Sequence, residues 1–323
     1  MKAIQQTNTD DPYSLELQDA EVPALRPGEV LVKVHAAGVN RADLLQTRGF
    51  YNPPEGESEI LGLEVAGYIE DAGDTDREVG EPVAALLSGG GYAEYVAVPA
   101  GQLLPIPKGY SMNEAAAVVE VACTVWSNLA MEAGLHNGQT VLIHGGGGGI
   151  GTIAIQIAKL LGATVAVTSG SAEKLKTCKD YGADILINYK EEDFVDRLKN
   201  SCDVILDIIG AKYLKANLKA LAKDGHLVII GLLGGNKEDI NLGVLTAKRL
   251  TVQGTTLRSR DREAKAEIVA DTVKHVWPWL DDGSITHHLF GTYPLAQAAQ
   301  AHRDINDGKV TGTLVLEVTG AED

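Results

Sequence analysis

Residues 140–161 read TVLIHGGGGGIGTIAIQIAKLL, five consecutive glycines set between an apolar segment and a stretch of helical period. Within the run, the spacing G-x-G-x-x-G falls on Gly146, Gly148 and Gly151. That spacing suits a dinucleotide pyrophosphate: glycine permits a tight turn, a close approach of backbone N–H to phosphate, and close helix–strand contact. The phosphates would then lie at the positive end of a helix, on the N–H groups of Gly149, Ile150 and Gly151. Three other readings are a linker, an esterase oxyanion loop beginning at His144, and a nucleotide P-loop. A linker would have polar flanks, whereas Ile150, Ile153, Ala154, Ile157, Ala158 and Leu161 fall on one helical face. No G-x-S-x-G elbow accompanies His144, and no Gly-Lys-Ser/Thr ends the run.

The next apolar segment, 164–168, ends in Ser169-Gly170-Ser171, with Lys174 one helical turn on. A site selective for NAD has Asp or Glu near this point to bind the ribose 2′-hydroxyl. Small neutral residues with a lysine fit a 2′-phosphate instead, so the expected cofactor is NADPH.

These residues need elements to position them. The chain has 323 residues, which at about 150 per domain predicts two domains. The first third carries short β-like runs at 15–22, 30–35, 63–69, 82–87, 92–98 and 103–106, punctuated by Pro and Gly, and reads as a barrel or sandwich. Ser111-Met112-Asn113-Glu114 fits a capping box opening a helix to about Met131. Six apolar strands then alternate with helical stretches at 140–143, 164–168, 185–188, 204–208, 227–230 and 250–253, the pattern of a parallel sheet buried on both faces. Helical patterns near 256–278 and 295–305 precede a last strand at 313–318, expected to rejoin the first domain. The predicted division is 1–119 with 256–323 for the β-rich domain, and 120–255 for the parallel-sheet domain.

Composition narrows the partners. The formal charge of −16 opposes nucleic acid and anionic membrane surfaces, so neither is an expected partner. Cys123, Cys178 and Cys202 form neither a disulfide framework nor a zinc knuckle. The acidic start MKAIQQTNTDD has no apolar leader, and no apolar run approaches a membrane span. A cytoplasmic protein is expected.

The segments GVNRADLLQTRGFY (Gly38–Tyr51), ILGLEVAG (Ile60–Gly67), GGYAEYVAVP (Gly90–Pro99), VLIHGGGGGIGTIAIQIAK and INYKEEDF (Ile187–Phe194) resemble the zeta-crystallin-like quinone oxidoreductases. These are zinc-independent medium-chain dehydrogenase/reductases, and the resemblance spans the chain. Tyr51-Asn52-Pro53-Pro54 and Leu257-Arg258-Ser259-Arg260 look closest to the tumour-suppressor-inducible subgroup. The resemblance implies an α/β protein with a GroES-like catalytic domain, an inserted Rossmann domain and a homodimer. It places Asn40, Leu63 and Glu120 where zinc relatives have metal ligands, a set unsuited to zinc. It implies that Asn40 and Tyr51 line the nicotinamide cleft between the domains and supply the hydrogen-bond donors that a metal-free carbonyl reduction needs. On the cofactor side it adds Thr124, Tyr189, Lys174, Gly231 and Leu232. Asp43 and Glu64 are expected to orient the loop or pair with Arg41. Two positions depart from the family pattern: Gly148, where serine is frequent, and Thr313, where lysine is common.

The expected function is metal-free transfer of reducing equivalents from NADPH to a quinone. One alternative is an NADPH-dependent enone or enoyl-thioester reductase. Another, from a different class, is a non-enzymatic structural or RNA-binding role.

Overall fold

The computed structural model describes residues 1–318. The chain divides into two compact units, one formed by Met1–Cys123 with the chain from Leu257 on, the other by Thr124–Thr256.

The first unit begins with β1 (Lys2–Gln6) and β2 (Leu15–Asp19), an antiparallel pair whose first strand the sequence pattern does not announce. Next come β3 (Glu29–Val39), α1 (Arg41–Gln46), β4 (Glu64–Asp71), β5 (Pro82–Leu86), β6 (Tyr95–Pro99) and β7 (Leu103–Pro105). The capping box forms: Ser111 N donates to Glu114 Oε2 at 2.8 Å, and Glu114 N returns a bond to Ser111 Oγ at 3.3 Å. The helix it opens is not continuous to Met131. It divides into α2 (Met112–Ala116) and α3 (Val119–Trp126), and a π-type turn covers Ser127–Glu132. The break falls at Ala117-Val118-Val119, where the second of two adjacent β-branched residues begins a new helix.

In the second unit β8 (Thr140–His144), α4 (Gly149–Leu160), β9 (Thr164–Ser169), α5 (Ala172–Asp180), β10 (Ile185–Asn188) and α6 (Phe194–Leu198) are followed by β11 (Cys202–Asp207), α7 (Ala211–Ala220), β12 (Leu221–Ile229), α8 (Leu242–Lys248) and β13 (Thr251–Gly254). The six strands are all parallel, in the order β10-β9-β8-β11-β12-β13. This is the doubly wound Rossmann order, and its switch point lies between β8 and β11, beside the glycine run. Helix α4 departs from the single apolar face expected: every residue from Gly151 to Ala158 is buried.

The chain then returns to the first unit with α9 (Arg262–His275), α10 (Trp277–Asp281), β14 (Leu289–Pro294), α11 (Ala298–Asn306) and β15 (Thr313–Glu317). Strand β15 pairs antiparallel with β3, Leu314 opposite Val39, and so rejoins the N-terminal sheet. That sheet runs β14-β15-β3-β4-β5-β7, with β6 also on β3. The registers fix the end of β3, and therefore the position of Asn40.

A buried polar chain ties the strand ends of the second unit. His144 Nδ1 lies 2.9 Å from Thr168 Oγ1 and Nε2 lies 2.8 Å from Asn217 Oδ1. Asn217 Oδ1 is an acceptor, so Nε2 carries the proton and Nδ1 accepts from Thr168. Asn217 Nδ2 donates at 3.1 Å to Asp207, whose carboxylate also takes the N–H groups of Ile209 and Gly210. Burial holds the imidazole neutral, with its pKa pushed down to about 4. Asn217→Leu would strand a buried N–H of His144 and one lone pair of Asp207. Urea unfolding should show a loss of about 2–4 kcal/mol.

Candidate active site

In the first unit, Asn40 is held from two directions. Its backbone N–H donates to Asp43 Oδ2 at 2.8 Å, and its side-chain Nδ2 donates to Glu64 Oε1 at 2.7 Å. Asp43, at the third position of α1, also accepts from Gly62 N at 3.1 Å and from the Tyr92 hydroxyl at 3.1 Å. The single Tyr92 proton goes to Asp43, so His302 Nε2, 3.2 Å from the same oxygen, is the donor there. Glu64 Oε2 accepts from Glu120 N at 2.8 Å. Neither carboxylate pairs with Arg41, whose guanidinium donates to Ile305 O at 3.2 Å. The orienting role expected of Asp43 and Glu64 is therefore the one the geometry carries.

Glycine at 38 is a steric requirement of this arrangement. A Cβ there would collide with Glu64 Oε1 and lie 2.6 Å from Ala116 O.

Tyr51 is partly buried, and its backbone is fixed by a residue far along the chain. Arg258 Nη1 donates to Tyr51 O at 2.7 Å, Nε donates to Ser88 O at 2.7 Å, and the guanidinium stands 5.5 Å from the centre of the Tyr51 ring. Nothing in the spacing of Leu257-Arg258-Ser259-Arg260 marks Arg258 as the support of Tyr51. Tyr92 and His302 are equally silent in sequence, since they meet only through the fold.

In the second unit, the turn between β8 and α4 is closed by its own packing. A Cβ at Gly151 would sit 2.5 Å from Gly145 O, and one at Gly146 would sit 2.9 Å from Cys178 Sγ. Gly148 differs: its nearest neighbour would be Gly145 O at 3.6 Å, and Gly148, Gly149 and Ile150 remain partly accessible. The N–H groups opening α4 have no intrahelical acceptors.

The end of β9 gathers Ser169, Gly170, Ser171, Lys174 and Tyr189. Ser171 caps α5, accepting from Lys174 N at 3.2 Å. The Lys174 stem lies against Gly147, and the Tyr189 hydroxyl covers Gly170 so closely that no Cβ would fit there. Gly231 follows β12, and a Cβ on it would stand 2.9 Å from Ile208 O, so the ends of β11 and β12 meet without side chains between them. Leu232 is exposed beside it. Thr124 is buried at the start of this unit, and its carbonyl accepts from Asn128 Nδ2 at 2.7 Å.

The chain from 26 to 108 matches the alcohol dehydrogenase GroES-like domain, and 149–273 matches the family described as zinc-binding dehydrogenase. The chain is 32% identical to the quinone oxidoreductase of Rattus norvegicus over 98% of its length and 97% of the rat protein's. A quinone oxidoreductase of Pseudomonas aeruginosa is also 32% identical, over 98% of this chain and 99% of its own. This chain belongs to the quinone oxidoreductases of the medium-chain dehydrogenase/reductase family. Its fold superposes on the Escherichia coli quinone oxidoreductase solved with NADPH at a TM-score of 0.89, with 27% identity, over 98% of this chain and 100% of that one. Among the described residues no group of three His, Cys, Asp or Glu could hold a metal ion, and Asn40 and Leu63 offer zinc no soft ligand.

The buried carboxyls of this oxidoreductase set a stability profile. Burial, then the Glu120 charge, raises Glu64 to about 8; burial raises Asp43 and Asp207 to about 6. Stability from such groups is present below their unfolded pKa and is lost as pH rises through the folded value. Burial depresses His144 and His287 to about 4 and His302 to about 3, so their contribution runs the other way and is complete above about 6.5. Between pH 6.5 and 8 Glu64 alone still titrates. Unfolding free energy should fall by about 1–2 kcal/mol over that interval, and Glu64→Gln should flatten the slope.

Proposed function

We propose that this chain is an NADPH-dependent quinone oxidoreductase in which Asn40 and Tyr51 bind and polarise the acceptor without a metal. The observation that carries the reading is the fixing of Asn40 by two buried carboxyl groups. Glu64 takes one of the two Nδ2 protons, so the amide is oriented and its second N–H is left to meet negative charge on an acceptor oxygen. A donor fixed before reaction needs no reorganisation when that charge develops, which is the source of its catalytic value. Tyr51 would offer the second donor through its phenol, with Arg258 holding its backbone.

The cofactor residues fit NADPH by chemistry and by space. The pyrophosphate would take the N–H groups of Gly149, Ile150 and Gly151, above a turn whose open side is at Gly148. The 2′-phosphate would take Ser169, Gly170, Ser171, Lys174 and Tyr189, a set with no carboxylate to repel it. Thr124, Gly231 and Leu232 would border the nicotinamide end. Bound NADPH supplies the reducing equivalents as a hydride. The protein's part is to hold the acceptor oxygen against Asn40 and Tyr51, since positioning provides much of the rate.

The reading extends to the assembly. Strand β13 ends the parallel sheet, and its outer edge carries no partner among the described residues, which suits pairing with a second copy in a homodimer. The three cysteines are free and buried, in keeping with a reducing cytoplasm. No helix among the described residues is long and apolar enough to cross a membrane.

Two substitutions test the assignments. Tyr51→Phe should lower quinone turnover by about tenfold to a hundredfold with NADPH affinity nearly unchanged. An unchanged rate would remove the phenol from the mechanism. Lys174→Ala should weaken NADPH binding by about tenfold or more while sparing NADH, measured by fluorescence titration. Equal losses for the two nucleotides would place the 2′-phosphate elsewhere.

A further inference from the structure

Two cations lie buried in the first unit with no carboxylate in hydrogen-bond contact among the described residues. Arg258 is 4% exposed and Lys265 is 3% exposed. Every hydrogen-bond partner of the pair is neutral: Arg258 reaches the carbonyls of Ser88 and Tyr51, and the Lys265 ammonium reaches the Ser88 hydroxyl. Arg258 Nη2 is buried with no partner at all. Asp43 favours the Arg258 charge from beyond contact distance, but a buried charge held directly only by neutral groups is costly. Burial accordingly pushes the Lys265 ammonium below its ordinary pKa, with Arg258 and Arg262 adding to the fall and Glu57 and Asp261 opposing it.

Beside these groups is a cavity of about 220 Å³, bordered by Ser88, Gly89, Gln102, Arg260, Arg262 and Lys265. Gly89 is also the neighbour of the orphan guanidinium nitrogen, which would stand 3.4 Å from a Cβ at that position. Gln102 is 2% exposed and lines the same space. The carboxylates around the cavity have other engagements. Glu57 pairs with Arg26 at 3.4 Å, Asp261 caps α9 through Ala264 N at 2.8 Å, and Glu29 takes Arg262. Glu55 also borders the space. The space is large enough for a tetrahedral phosphate or a short carboxylate.

We infer that this cavity is a binding site for a small oxyanion, with the Lys265 ammonium and the Gln102 amide as its donors and buried Arg258 completing the positive field. Its lining comes from the first unit alone and does not include Asn40, and it does not depend on the redox reading. Its occupant would lie behind the segment that carries Tyr51. Ser88 links the two, taking Lys265 on its hydroxyl and Arg258 on its carbonyl, while Arg258 holds Tyr51 O. Occupancy therefore orders the 51–58 loop.

The test uses the full chain without nucleotide, titrated with inorganic phosphate and separately with acetate, at ionic strength held constant with chloride. Melting temperature and hydrogen exchange are the readouts. The expected result is a saturable rise in melting temperature with phosphate or acetate, accompanied by protection of residues 51–58. The two titrations show which oxyanion class the site prefers. Lys265→Met should weaken that binding at least tenfold, and Gln102→Leu provides the second variant should Lys265→Met not fold. Lys174→Ala, which alters the predicted 2′-phosphate site, should leave it intact. The inference is overturned by the absence of a saturable effect beyond chloride, or by an effect lost in Lys174→Ala and retained in the cavity variants.

Discussion

Burying a carboxyl group is costly unless its oxygens receive hydrogen bonds, and the first unit satisfies that requirement twice around one asparagine. Asp43 collects two backbone N–H groups and a tyrosine hydroxyl; Glu64 collects the Asn40 amide and the Glu120 backbone. The donors come from Asn40, Gly62, Tyr92 and Glu120, so both groups are satisfied only when these separate stretches of chain have come together. The orientation of the Asn40 amide follows from that closure. Replacing Gly38 by a residue with a Cβ would displace Glu64 and release the amide with it.

The second unit applies the same physics to a backbone rather than a side chain. The glycine turn is shaped by contacts that leave no space for side chains at Gly146 and Gly151, while its outer side stays open. Below the turn, the chain Thr168–His144–Asn217–Asp207 fastens the ends of β8, β9 and β11 through neutral hydrogen bonds and one carboxylate. A rigid strand end allows α4 to present its N–H groups in fixed positions. On a chain of charge −16, the proposed affinity of this turn for a dianionic pyrophosphate would have to come from such local donors.

Much of this was legible in the sequence because the signals were local. The glycine spacing, the Ser111 capping box and six apolar strands each lie within a few residues, and each appears in the structure. Resemblance added Asn40 and Tyr51, which composition alone would leave as turn residues. What escaped was non-local. Arg258 reaches Tyr51 across more than two hundred residues, and Tyr92 meets His302 at a similar separation. The helix expected from 112 to about 131 failed for another reason: propensity summed over an Ala-rich window concealed the break at Val118-Val119. Strand β1, KAIQQ, holds only two apolar residues and β14, LFGTYP, carries a glycine and a proline, so the pattern announces neither.

The central claim is that a preset pair of donors reduces a quinone with NADPH. Its most direct test follows NADPH oxidation by absorbance with an ortho-quinone, a simple enone and an enoyl thioester in parallel, repeated with NADH. The account predicts turnover on the quinone at least tenfold above the other two acceptors, with NADPH preferred. Turnover confined to the enone or the thioester would contradict it and make the chain a double-bond reductase. Bound NADPH with no turnover on any acceptor would contradict it in favour of a non-catalytic role.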